Sequence, residues 1–143
     1  MAGAQLGLLH CSASSSFSAV KIFFLLRENR MPIPLRVLYC NCSYANVVPK
    51  ATKEAVLRRL AESGSPFDAV PDLCEMSAKK DPALHELAGE GVRIAACYPR
   101  AVRWLFSAAG AKLGAENVEI LNMRTDTPES VVAKLLETPE ATA

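Results

Sequence analysis

Four cysteines are spaced in a way that suits thiolate chemistry: Cys40 and Cys42 in "VLYCNCS", Cys74 in "PDLCEM" and Cys97 in "RIAACYPR". Gathered thiolates hold zinc or an iron–sulfur cluster, and a pair of thiols can also exchange with a disulfide. Zinc ribbons and fingers take Cys-x2-Cys knuckles, and this chain has none. An extended Cys-x-Cys pair spans about 6.6 Å between alpha carbons with both side chains on one face. Such a pair reaches two corners of a cluster, and a bend would let it chelate one ion, so spacing leaves both centres open. The reading without chemistry is four cysteines packed as small apolar residues. A cofactor-free dithiol site is the third option, but no Cys-x-x-Cys stands at a helix start to activate it.

For these residues to act together, the chain between them must bring them to one place. From Leu35 onward it alternates between two kinds of segment. "LRVLYC", "FDAVPDLC", "VRIAAC" and "NVEILNM" are short and rich in Val, Ile and Leu, and they read as strands. Each is followed by a segment with helix punctuation. Pro49, Pro82, Pro99 and Pro128 sit near the four helix starts. Asp81 and Thr127 precede two of them as N-caps, and Gly64, Gly89 and Gly110 close the first three. In the third helix Val102, Leu105, Phe106 and Ala109 form one apolar stripe, with Arg100 and Arg103 off it. Val131, Val132, Leu135 and Leu136 repeat the pattern in the fourth.

This alternation predicts an α/β domain: a small four-stranded parallel sheet with flanking helices, flavodoxin-like, in strand order 2-1-3-4. In that scheme Cys40 and Cys42 end the first strand, Cys74 the second and Cys97 the third. All then lie on the carboxyl edge, where open α/β sheets bind ligands. Pro99 starts a helix two residues after Cys97, so its N–H groups would face the site and stabilise negative charge. Tyr98 and Arg100 are the candidate cofactor-contacting residues, one as a shield against water and the other as a nearby positive charge. Core or rim packing is the competing role for Tyr98, as for Trp104.

With 143 residues, half of them apolar, 22% charged and a formal net charge of +1, the chain fits one globular domain. There is no basic surplus to neutralise a phosphate backbone, so nucleic acid is not an expected partner. No apolar run is long enough to span a bilayer. Residues 1–32 differ from the rest: a Ser-rich piece with Cys11 precedes a short apolar run interrupted by Lys21. They read as an N-terminal extension, disordered or upstream of a natural start at Met31. The single domain is expected over 33–138, with a short tail at 139–143. Five cysteines without a secretory signal point to a reducing, cytoplasmic setting rather than a disulfide framework.

"YCNCS", a cysteine after the second strand and then "RIAACYPRAVRWLF" resemble the N-terminal iron–sulfur domain of the flavin-containing subunit of heterodisulfide reductase. The likeness covers roughly residues 35–124, and "AACYPR" is its most specific piece. It implies a four-iron, four-sulfur cluster ligated by Cys40, Cys42, Cys74 and Cys97, and electron exchange with a larger, flavin-containing partner. The chain departs from that pattern where Cys74 runs into "EMSAKK" rather than a Ser-Asp-Pro-Gly-like turn. It departs again after the fourth strand, where "NMRTDTPE" lacks a further cysteine. The 143 residues contain no flavin-binding region and no ferredoxin-type motif.

Other chemistry finds little support. His85 reads as a solvated helix residue, and His10 lies in the extension. Asp68, Asp72 and Glu75 around Cys74 read as a solvated rim rather than an acid–base pair. There is no Gly-rich phosphate loop, nucleophile elbow or triad. The expectation is an electron-transfer protein, a subunit or satellite of a heterodisulfide-reductase-like oxidoreductase, with a zinc-stabilised interaction module as the alternative.

Overall fold

A computed structural model describes residues 35–137 except Glu90 and Glu116. The expectations for the extension at 1–32, for Met31 and for the tail at 139–143 fall outside the described residues. In chain order the elements are β1 (Arg36–Cys40), α1 (Lys50–Ser63), β2 (Asp68–Val70), α2 (Leu73–Ala78), α3 (Ala83–Leu87), β3 (Val92–Ala96), α4 (Pro99–Ala108), β4 (Glu119–Asn122) and α5 (Pro128–Leu136). The four strands form one all-parallel sheet in the order β2-β1-β3-β4, as expected.

The sheet forms from segments that are apolar throughout rather than alternating, because helices cover it. In β1 and β3, Val37, Leu38, Tyr39, Ile94, Ala95 and Ala96 are all buried. Helix α1 packs against α5, and α2 against α4. With parallel strands and right-handed crossovers this puts one helix pair on each face. Val56 and Leu60 of α1, Val102 and Phe106 of α4, and Val131 and Leu135 of α5 are the buried anchors. The off-stripe Arg100 and Arg103 of α4 are exposed.

The punctuation acts largely as read. Thr127 accepts the N–H of Ser130 at the start of α5, and Gly64 caps α1 in the left-handed conformation at φ 69°. Gly110, at φ 82°, ends α4 in a Schellman turn: Ala111 N–H reaches Phe106 O and Gly110 N–H reaches Ser107 O. Asp81 accepts the N–H of Ala83, although Pro82 holds the N-cap position of α3.

One stretch departs from expectation. The second strand stops at Val70 instead of running on to Cys74, and Cys74 lies in the first turn of α2, a helix that the sequence pattern did not announce. The cause is Asp72, the N-cap of α2, whose carboxylate accepts the N–H groups of Cys74 at 2.8 Å and Glu75 at 3.4 Å. An apolar run that looks like strand is thus turned into helix by Asp72.

Among the described residues no helix is long and apolar enough to cross a membrane.

Candidate thiol centre at the carboxyl edge

Register places the cysteines relative to one another. Cys40 pairs with Val70, Tyr39 with Ala95, and Ala96 with Asn122, so Cys97 stands one residue past the end of β3 at the same edge. The chain leaves β1 toward β2 on one side and later returns to β3 on the other. The crevice where ligands bind in open α/β sheets therefore lies between the carboxyl ends of β1 and β3. Cys40, Cys42 and Cys97 come from the two segments that flank it.

The loop after β1 is stitched to the segment after β2. Asn41 N–H donates to Val70 O at 2.9 Å, Ser43 N–H to Pro71 O at 3.1 Å, and Tyr44 N–H to Asp72 Oδ2 at 2.8 Å. Helix α2 is in turn fixed to α4 by the buried Ser77, whose hydroxyl donates to Leu105 O at 2.8 Å. The loop with Cys40 and Cys42, the helix with Cys74 and the helix that follows Cys97 are therefore held in one hydrogen-bonded frame.

Within that frame Cys40, Cys42 and Cys97 are buried and Cys74 is partly exposed, all four as free thiols. Cys42 departs from extended geometry: its φ of 49° is left-handed, a strained conformation for a residue with a β-carbon. The bend turns the chain at the second cysteine of the pair, so Cys40 and Cys42 do not continue as one strand face.

Burial pushes the Cys40 thiol up to about 11, although the backbone N–H groups of Leu73 and Cys42 donate to it and favour its thiolate. Burial likewise lifts Cys74 to about 11, helped by the Asp72 carboxylate that accepts its S–H and by negative charge on Cys97 and Cys40. Cys40 also senses Cys42. The four sulfurs are thus electrostatic neighbours in a chain from Cys42 through Cys40 and Cys74 to Cys97. Two of them are protonated at neutral pH, the opposite of an activated dithiol nucleophile.

Among the described residues, no three His, Cys, Asp or Glu side chains are grouped so as to hold a metal ion. Four thiols are the donor type that zinc and an iron–sulfur centre share, and backbone N–H groups donate to one of them.

The other sequence candidates fall around this site in different ways. Tyr98 is half-exposed, and the guanidinium of Arg124 lies 4.2 Å over its ring, so its outer face carries a cation–π contact. Arg100 is exposed in the first turn of α4, and Trp104 is exposed on the same helix. His85 is exposed as expected. Asp68 pairs with Arg36 and Glu75 with Lys79. Asp72 is no rim acid: it is 1% exposed and organises the site.

Sequence reasoning misses Lys53. It is buried on α1, and its ammonium donates to Asn46 Oδ1 at 3.1 Å and to Cys42 O at 3.4 Å. The signal is present all the same: Lys53 shares the i, i+3, i+7 stripe with Val56 and Leu60.

No family model, no curated protein and no solved structure matches this chain.

Proposed function

We propose that Cys40, Cys42, Cys74 and Cys97 ligate a four-iron, four-sulfur cluster. The protein then works as a one-electron carrier, a subunit or satellite of a heterodisulfide-reductase-like complex. The observation that carries this reading is the origin of the thiols. They come from three separate chain segments and stand as electrostatic neighbours at the carboxyl edge of a parallel sheet, with two backbone N–H groups aimed at the Cys40 sulfur. Packing alone asks for none of this, least of all a left-handed cysteine.

When bound, such a cluster takes up and releases single electrons at a potential set by hydrogen bonds to its sulfurs, by burial and by nearby charge. The chain's own residues supply these settings. Leu73 and Cys42 N–H donate to a ligand sulfur, Asp72 fixes the segment that carries Cys74, and the sheet end keeps three of the cysteines from water. Ligation asks the Cys42 turn and the partly exposed Cys74 to close on the occupant. A carrier needs a donor and an acceptor, so a redox protein, flavin-containing by the family resemblance, is the proposed partner. A reducing, cytoplasmic compartment suits free thiols.

The test is metal analysis of protein purified under strict anaerobiosis. Brown protein with about four irons and matching sulfide per chain, and an EPR signal on reduction, is the expected result. Cys42→Ser should lose or destabilise the cluster while Cys11→Ser keeps it. Stoichiometric zinc without colour would replace the reading by a zinc-stabilised module, and neither metal would remove both.

A further inference from the structure

The outward side of α4 is cationic and aromatic. Arg100, Arg103, Trp104 and Ser107 recur at i, i+3, i+4 and i+7, so they share one side of the helix, away from the buried Val102 and Phe106. That side runs about 10 Å along the axis. All four residues are exposed, and Trp104 is the single tryptophan of the chain. At the N-terminal end stands Tyr98, the N-cap residue, with the Arg124 guanidinium 4.2 Å over its ring. Among the described residues no carboxylate forms an ion pair with Arg100, Arg103 or Arg124. Arg103 donates to the carbonyl of Val118 at 3.3 Å, a neutral acceptor that leaves its charge unmatched.

The other described helices balance their charge. Each of them contains a glutamate, and in α1 and α2 it pairs with a lysine of the same helix. Helix α4 has two arginines and no acid. Arg100 also stands in its first turn, where the positive end of the helix dipole disfavours a cation, and no side chain caps that end. Local stability asks for none of this. We propose that this face docks an acidic segment of a partner protein, with carboxylates on Arg100, Arg103 and Arg124 and an apolar side chain against Trp104. Guanidinium forks match carboxylates, and Trp and Arg are the residues that most often carry interface energy. The proposal does not depend on what the thiols hold. Single-stranded nucleic acid fits less well, because Arg124 occupies a face of the Tyr98 ring on which a base would stack. A net charge of +1 also leaves no basic surplus to track a phosphate backbone. Residues 1–32 of the chain itself carry the wrong sign, with Lys21, Arg27 and Arg30 against one acid, Glu28.

The experiment titrates the full chain with a synthetic peptide of Asp, Glu, Leu and Phe, and with its analogue in which every acid is the matching amide. Oligo(dT) of equal charge is the third probe. Because Trp104 is the only tryptophan, its emission reads coverage of this face directly. Anisotropy of the dye-labelled probe reads the variants. The acidic peptide is expected to shift the emission saturably to the blue, to bind at least tenfold tighter than the amide analogue, and to weaken with added salt. The double variant Arg100→Glu, Arg103→Glu is expected to lose at least tenfold in affinity while Tm holds or rises, since it puts an acid in the first turn of α4. Trp104→Ala is expected to weaken binding severalfold at unchanged Tm. No binding of the acidic peptide, equal binding of the amide analogue, or undiminished binding by the double variant overturns the proposal. Equal or tighter binding of oligo(dT) makes the face a nucleic-acid contact and also overturns it. A free chain whose emission is already blue assigns the face to a second copy if dilution reverses the shift, and to residues 1–32 if it does not; either result overturns the proposal. Iron and zinc content of the same samples is measured separately, so this proposal and the cluster reading fail independently.

Discussion

The carboxylate of Asp72 accepts the backbone N–H of Tyr44 at 2.8 Å across 28 positions of sequence. The same carboxylate caps α2 through Cys74 and Glu75, so one side chain joins the loop of Cys40 and Cys42 to the helix of Cys74. Asp72→Ala removes a buried cap and a loop tie together. It should cost about 2–3 kcal/mol, or about 10–15 °C in Tm for a domain of this size. Asp72→Asn keeps an acceptor oxygen and should cost less than half as much, as read by circular dichroism melts of the metal-free protein.

The same residue sets an acid limb. Burial alone would raise the Asp72 pKa, but the N–H donors of Tyr44, Cys74 and Glu75 and the Cys74 thiol together lower it. A carboxyl with a lowered folded value stabilises the fold fully above its unfolded pKa, near 4, and loses that contribution as pH falls through the folded value. Urea unfolding between pH 7 and pH 2.5 should therefore show the parent losing more stability than Asp72→Asn. Parallel curves would mean that Asp72 does not set the limb.

At the alkaline end the sign reverses. Burial, with the negative charges of Cys40, Cys42 and Glu54, pushes the Tyr39 phenol from 10.0 to about 12. Below pH 10 the phenol is protonated in both folded and unfolded chains. Between about 10 and 12 only the unfolded chain releases its proton, so stability falls as pH rises. Tyr39→Phe removes that part of the alkaline loss, while the thiols of Cys40 and Cys74, raised to about 11, keep theirs. At neutral pH the variant should be about 0.5–1.5 kcal/mol less stable, because the bond to Lys53 O is gone.

The sheet, its strand order and the cysteine-bearing ends of β1 and β3 are legible because buried parallel strands leave uninterrupted apolar runs closed by Pro and Gly. The ends of helices are legible for the same reason: Thr127, Gly64 and Gly110 do local work that depends on few neighbours. Helix α2 is not, although Asp72 followed three residues later by Glu75 has capping-box spacing. The apolar run "AVPDLC" outweighs it. The left-handed Cys42 leaves no trace in the sequence, since its bend depends on the Val70–Asp72 segment alongside. Lys53 leaves one, a charge on an apolar stripe, which is easily overlooked because lysines on helices are usually solvated.

Cysteine accessibility separates the four thiols. Cys74 is the partly exposed one, while Cys40, Cys42 and Cys97 are buried. N-ethylmaleimide followed by peptide mass mapping should label Cys74 before those three. The reaction should be slow at pH 7, where a thiol at about 11 is ionised in about one molecule in ten thousand. Its rate should climb about tenfold per pH unit. Asp72→Asn, which removes a charge beside Cys74, should speed the labelling. Equal labelling of Cys40 and Cys74 would contradict the described burial.

Helix α4 offers a contrast between two aromatics two residues apart. Phe106 is fully buried between the helix and the sheet, and Trp104 is 68% exposed. Phe106→Ala should cost about 3–5 kcal/mol through lost burial and the cavity left behind, enough to unfold much of the protein at 37 °C. Trp104→Ala should change stability by no more than about 0.5 kcal/mol. If Trp104 belongs to a docking face for the proposed partner, its loss would weaken association while Tm stays fixed. Denaturant titration of both variants reads the first pair of outcomes. A Trp104→Ala variant that melts far below the parent would mean this side chain is covered in the full chain.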